Sequence, residues 1–140
     1  MFGNEILEEG EFLTPFQASI KPKIHLDHVN SNNKYTIMMY DIDAPFPDDP
    51  SFSPILHWLV TNVSMNKPNG KTIVSYHGPN PPKSSDPHRY TIELLEETNN
   101  SYSDNNLPED KITKNFNIVG FIEKNKLKRK DQIVFQSSFS

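Results

Sequence analysis

The sequence predicts an antiparallel β-protein with long, stiff loops and one or two short helices. Three observations carry this. Apolar, β-branched and aromatic runs recur along the chain, among them Tyr35–Tyr40, Ile55–Val63, Lys71–Tyr76, His88–Glu96 and Gln132–Phe139. Turn clusters separate them, such as Asn30-Ser31-Asn32-Asn33 and Lys67-Pro68-Asn69-Gly70. The chain also holds twelve prolines against five glycines, which favours short strands and rigid loops over long helices.

Taken in order, residues 1–12 are polar and acidic, with Ile6, Leu7 and Phe12 as apolar anchors. Leu13–Leu26 reads as short extended pieces cut by Pro15 and Pro22. Tyr35–Tyr40 is a strand that delivers Asp41 and Asp43 to its own end, and a period of two puts both carboxylates on one side with Ile42 on the other. Pro45–Pro54 is too rich in proline for regular structure. Ile55–Val63 reads as a central strand with His57 set inside it. Tyr76–Pro87 is a second stiff loop, and His88–Glu96 resumes a strand. Residues 97–106 are hydrophilic and read as a surface segment, and Pro108-Glu109-Asp110-Lys111 as a helical turn. Asn115–Leu127 is the best longer helix, with Asn115 or Asn117 as N-cap and a weak point at Gly120.

At 140 residues the chain is expected to form one domain spanning 1–140. A net charge of −4 argues against general nucleic-acid binding. The basic run Lys124, Lys126, Lys128, Arg129 and Lys130 reads as a solvated helix end, with peripheral contact to an anionic membrane surface or acidic partner as its alternative use. The absence of cysteine excludes disulfides, thiolate metal sites and a thiol nucleophile. No apolar stretch approaches the ~20 residues of a membrane helix, and the first residues lack the pattern of a secretory signal, so a cytoplasmic location is expected.

Three polar pieces can converge at one end of such a sheet: Asp41 with Asp43, His57, and the segment from His77-Gly78 to His88-Arg89-Tyr90. Gly78 allows close backbone approach, and the prolines of Pro79–Pro82 hold the loop without needing hydrogen-bond partners. An acid and a histidine in one cleft also suit a small hydrolase using Asp41 or Asp43 with His57, although no glycine-framed serine occurs. A metal site from His25 and His28, or from His57, His77 and His88, lacks a specifying spacing; no metal or cofactor is expected.

These residues carry a resemblance. Asp41-Ile42-Asp43-Ala44-Pro45 followed by His57-Trp58-Leu59-Val60-Thr61-Asn62 resembles the first signature of the phosphatidylethanolamine-binding protein family, which includes the Raf kinase inhibitor protein. Tyr76–Pro82 leading to His88-Arg89-Tyr90 resembles its second, and Leu13–Gln17 and Phe116–Leu127 extend the likeness through most of the chain. The resemblance implies two packed antiparallel sheets, a cis Ala44–Pro45 bond, and a small pocket for phosphate-like anions or phospholipid head groups. The pocket would be formed by Asp41, Asp43, Pro45, His57, Gly78, Pro82, His88 and Tyr90. It also implies a non-catalytic regulator with a kinase or serine protease as partner. In such a pocket two close carboxylates would share a proton, while His57, His88 and Tyr90 donate to the anion. The chain departs from the family at Ile42, where a proline is usual, at Ile55, and at Ser84-Ser85-Asp86-Pro87, where glycines are usual. It reads as shortened at both ends, without the C-terminal helix that borders the cavity in many members, which implies a more open pocket.

Overall fold

The computed structural model describes residues 9–24, 33–98 and 107–139. Five strands form one antiparallel sheet: β1 Tyr35–Asp41, β2 Ile55–Val63, β3 Lys71–Val74, β4 His88–Glu97 and β5 Leu127–Ser137, in the order β3-β2-β1-β4-β5. One short helix, α1, spans Ile118–Lys124. The family resemblance implies two packed sheets; among the described residues there is only this one. The segment after Leu13 makes turns instead of the expected extended pieces. Thr14 and Gln17 bond each other's backbone N–H (Thr14 N–H to Gln17 Oε1, 2.9 Å; Gln17 N–H to Thr14 Oγ1, 3.1 Å), which folds the chain locally.

Strand β1 is central and all seven of its residues are buried, which is why its apolar run shows no alternation with polar residues. Its odd positions Tyr35, Ile37 and Met39 join Trp58, Val60, Tyr90, Ile92 and Phe135 on one face, roofed by Leu13 and Ala18. Its even positions Met38 and Tyr40 join Leu56, Leu59, Val74 and Leu95 on the other, against Ile118 and Phe121 of α1. Truncating a buried side chain such as Met38 to alanine costs about 2–5 kcal/mol.

The C-terminal third differs from expectation. The helix is shorter than Asn115–Leu127 because Asn117 caps its start, accepting from the Gly120 N–H at 2.9 Å. Asn125 ends it, its side-chain amide donating to the Phe121 carbonyl at 3.0 Å, and Lys126 then turns the chain at φ 54°. Strand β5 therefore begins at Leu127 rather than Gln132. Most of the basic run lies on this strand, not on a helix end. Cross-strand pairing sets Lys128 opposite Glu96, and Arg129 and Lys130 form ion pairs with Glu93 (3.3 Å) and Glu96 (3.7 Å) of β4. Residues Pro108–Lys111 form no helical turn; the chain bends at Asp110 and Lys111.

Candidate functional site

The candidate site forms where the end of β1 meets the start of β4. Antiparallel pairing places Asp41 opposite Tyr90, so residues 41–43 lie beside the His88-Arg89-Tyr90 segment. Relative exposure is 3% for Asp41, 2% for Asp43, 4% for His57, 1% for His88 and 0% for Tyr90. Five polar or ionisable side chains are thus packed out of water, an arrangement that stands only if they partner one another.

The two carboxylates are held by different partners. Regular alternation stops at Asp41, whose Oδ1 accepts the backbone N–H of Asp43 at 2.8 Å and bends the chain. Asp41 Oδ2 then lies 2.7 Å from His88 Nδ1. Asp43 turns to the neighbouring Arg89, accepting its backbone N–H at 2.7 Å, Nε–H at 3.0 Å and terminal N–H at 2.9 Å. Burial pushes the Asp43 carboxyl up, but the hydrogen bonds and charge of Arg89 together outweigh it and hold Asp43 below the ordinary carboxylate range. The expected mutual raising of proton affinity is replaced by a separate cation for Asp43.

His57 arrives by a bulge. Met39 pairs with Trp58 and Tyr40 with Leu56, so His57 is the extra residue of β2, and it can face the same side as Trp58. Its ring meets the edge of Tyr90, with centroids 5.5 Å apart at 90°. Nδ1 lies 2.8 Å from the His77 carbonyl, which only accepts, so Nδ1 carries a proton. Burial lowers the proton affinity of the ring below the ordinary imidazole value, against the opposing pull of that carbonyl and of Asp41. Neutral His57 therefore has a bare Nε2 and nothing left to donate to an anion. It gains that capacity only by taking a second proton.

Tyr90 stacks on Phe135 (5.4 Å, 20°) and lies under His88 (6.3 Å, 25°). Its hydroxyl is buried without a well-formed hydrogen bond among the described residues, and so is the Ser137 hydroxyl on the residue paired with His88. Burial, with the Asp41 carboxylate nearby, raises Tyr90 well above the ordinary phenol range, so it stays a neutral donor.

The loops supply the walls. Ala44–Pro45 is cis, as expected, and so is Ser53–Pro54. Pro45 and Pro82 are half-buried. Gly78 runs against Ala18, where an added Cβ would meet the carbonyl oxygen at 3.0 Å, and the Tyr76 hydroxyl donates to the same oxygen at 2.7 Å. The Pro82 carbonyl accepts the Ser85 N–H at 3.1 Å, bringing Ser85 Oγ to 2.8 Å from His88 Nε2. Clefts of about 410 and 360 Å³ open elsewhere on the sheet, past Trp58 with Val60 and past Ile92 with Leu94; neither is lined by Asp41, His57 or His88.

Sequence reasoning missed Arg89 and Ser85. Arg89 was legible as the cation nearest the acids once β1 and β4 are paired, but that register comes from the fold. Ser85 gave no motif signal. Among the described residues no hydrogen bond joins His57 to either acid of the expected hydrolase arrangement: His57 Nδ1 faces the His77 carbonyl and Asp43 is held by Arg89. His25 and His28 lie outside the described residues. Among the described residues no helix is long and apolar enough to cross a membrane.

An antiparallel sheet that seals an acid–histidine–tyrosine cluster at the shared end of two strands defines the class. The chain matches the family model described as phosphatidylethanolamine-binding protein over residues 3–134, and it belongs to that family. It is 34% identical over 98 residues to Protein MOTHER of FT and TFL1 homolog 2 of Oryza sativa subsp. japonica, covering 69% of this chain and 55% of the relative. It is 34% identical over 93 residues to Putative odorant-binding protein A5 of Drosophila melanogaster, covering 66% and 44%. The chain thus spans about half the length of these curated relatives. Among solved structures it is similar to a phosphatidylethanolamine-binding protein from Plasmodium vivax (TM-score 0.79, 19% identity, 94% of this chain and 78% of that one). It is also similar to a carboxypeptidase Y inhibitor complexed with its cognate proteinase (TM-score 0.77, 21% identity, 94% and 76%). At these identities the structural likeness speaks for the fold.

Proposed function

We propose that this protein is a non-catalytic binding and regulatory protein whose site takes a phosphate-like anion or a phospholipid head group. Asp41, Asp43, Pro45, His57, Gly78, Pro82, His88 and Tyr90 form that site. The observation that carries the reading is the buried Tyr90 hydroxyl, which has no well-formed hydrogen bond among the described residues, on a ring packed against those of His57 and His88. A buried hydroxyl without a well-formed hydrogen bond leaves room for a ligand or a water to complete it. Asp43, neutralised by Arg89, braces the wall and does not repel the anion. Tyr90 donates from the neutral phenol, and His57 donates from Nε2 once it is doubly protonated. Ligand binding regulates a protein partner, of which a protease is the better supported kind, since one structural relative is an inhibitor complexed with its proteinase.

Calorimetric titration with phosphoethanolamine, inorganic phosphate and sulfate tests this. Saturable binding lost in Tyr90→Phe, with the fold retained by circular dichroism, supports the reading. Absence of binding from acid to alkaline pH refutes it. Sulfate serves as the reference because its charge is constant across that range.

A further inference from the structure

We propose that Ser85 is an activated nucleophile, served by His88 and Asp41, that accepts an acyl group from an ester. The three side chains stand in line: Ser85 Oγ lies 2.8 Å from His88 Nε2, and His88 Nδ1 lies 2.7 Å from Asp41 Oδ2. An ionised carboxylate oxygen only accepts, so the ring proton sits on Nδ1 and neutral His88 turns a bare Nε2 to Ser85. Nucleophile, base and orienting carboxylate in this order constitute an activated serine, recognised by geometry and not by sequence position.

The environment suits the roles. Asp41 and His88 are buried, and the ring is fixed between the carboxylate and the face of Tyr90. Ser85 is half-buried on the rim, so a reagent reaches its hydroxyl while the base stays behind it. A second acceptor, the Asp86 carbonyl, lies 2.7 Å from Ser85 Oγ. A hydroxyl has one proton, so the two contacts alternate. A protonated Nε2 donates to Oγ and sends the hydroxyl proton to Asp86, whereas a bare Nε2 receives it.

In the acylation step, Ser85 Oγ attacks the ester carbonyl carbon and its proton passes to His88 Nε2. The bond from the carbonyl carbon to the alkoxy oxygen then breaks, and an acidic alcohol such as nitrophenol leaves as its anion without approaching Nε2. The products are acyl-Ser85, the alcohol's anion and His88 holding the serine proton beside Asp41. Deacylation needs water to reach Nε2, which lies behind the acylated oxygen on a ring sealed from solvent. The adduct therefore accumulates, and the chain is modified once without turning over. This holds whether or not the site takes an anion, since neither His57 nor the Tyr90 hydroxyl enters the step.

The test is incubation of the full chain with p-nitrophenyl acetate, followed by nitrophenol release, intact mass and peptide mapping. The expected result is one acetyl group per chain on Ser85 with one equivalent of nitrophenol. Ser85→Ala removes the adduct and the exposed neighbour Ser84→Ala keeps it. Asp41→Asn slows its formation by about 100-fold or more, the range of a lost base. No adduct, or an adduct mapped to a lysine or to Ser84, overturns the proposal. So does acetylation at an unchanged rate in Ser85→Ala, or in a folded Asp41→Asn.

Discussion

Replacing Asp43 with alanine tests how the site is braced. The Asp43 carboxylate is buried and accepts three hydrogen bonds from Arg89, one from its backbone and two from its guanidinium. The components differ in weight. The Arg89 side chain is 57% exposed, so its half of the ion pair is screened, and its loss costs no more than about 1 kcal/mol. The Arg89 backbone N–H is less replaceable, because it sits in the β1–β4 junction, and leaving it unpaired costs about 1–3 kcal/mol. The sum is about 1–4 kcal/mol, most of it from a backbone donor. Urea unfolding at neutral pH measures it. Asp43→Asn, which keeps an acceptor for the amide, should lose less than half as much. A loss below about 0.5 kcal/mol for Asp43→Ala would refute the assignment of Asp43 as a brace. The same pair sets a pH dependence. The folded pKa is held below the ordinary 3.8, so the contribution is present above that value and is lost as pH falls through the lower, folded one.

Three further outcomes follow from the geometry. Sulfate affinity should rise as pH falls below the ordinary imidazole value of 6.5, by at most about tenfold per pH unit for one linked proton; titrations at a series of pH values read this, and His57→Gln should flatten the profile. Tyr40→Phe removes the 2.7 Å hydrogen bond to the buried Glu93 carboxylate, leaving it to the half-exposed Arg129, and should cost about 1–3 kcal/mol in chemical denaturation. Gly70→Ala should lower stability by more than about 1 kcal/mol in the same assay, because Gly70 has φ 51° and an added Cβ would lie 2.4 Å from the Thr61 carbonyl oxygen.

Much of the sheet was legible. Ile55–Val63 was bounded to the residue because a dense β-prone run between a proline loop and a turn leaves no other reading. Tyr35–Tyr40 and His88–Glu96 each fell one residue short. The α1–β5 junction was not legible. Phe116, Val119 and Leu127 share a helical face on paper, but Asn125 and the left-handed Lys126 stop the helix first, and Leu127 pairs with Glu97 across the sheet. The basic run was assigned to a helix end for the same reason, since its acidic partners Glu93 and Glu96 belong to a strand some thirty residues earlier. In the site, the residue set was assembled from signature order, while the pairings were hidden. The bulge that turns His57 towards Tyr90 and the bend that parts Asp43 from Asp41 are properties of register, which no local pattern encodes.

The parting of the two acids decides what the cluster can attract. Had Asp41 and Asp43 faced one another, an anion would have needed a shared proton between them, and binding would have tracked a carboxylate titration. Instead Asp43 spends its charge on Arg89 at the solvent edge, and Asp41 is the acid in direct contact with His88. A proton added to the cluster from solvent then has one clear consequence at His57. It converts a bare Nε2 into a donor and brings a positive charge beside the Tyr90 hydroxyl. Reciprocity follows: an anion that binds protonated His57 must raise its proton affinity by the same free energy that acidification adds to anion binding. Imidazole titration by NMR, with and without sulfate, reads that link directly. An unmoved His57 titration under saturating sulfate would place the anion away from this ring.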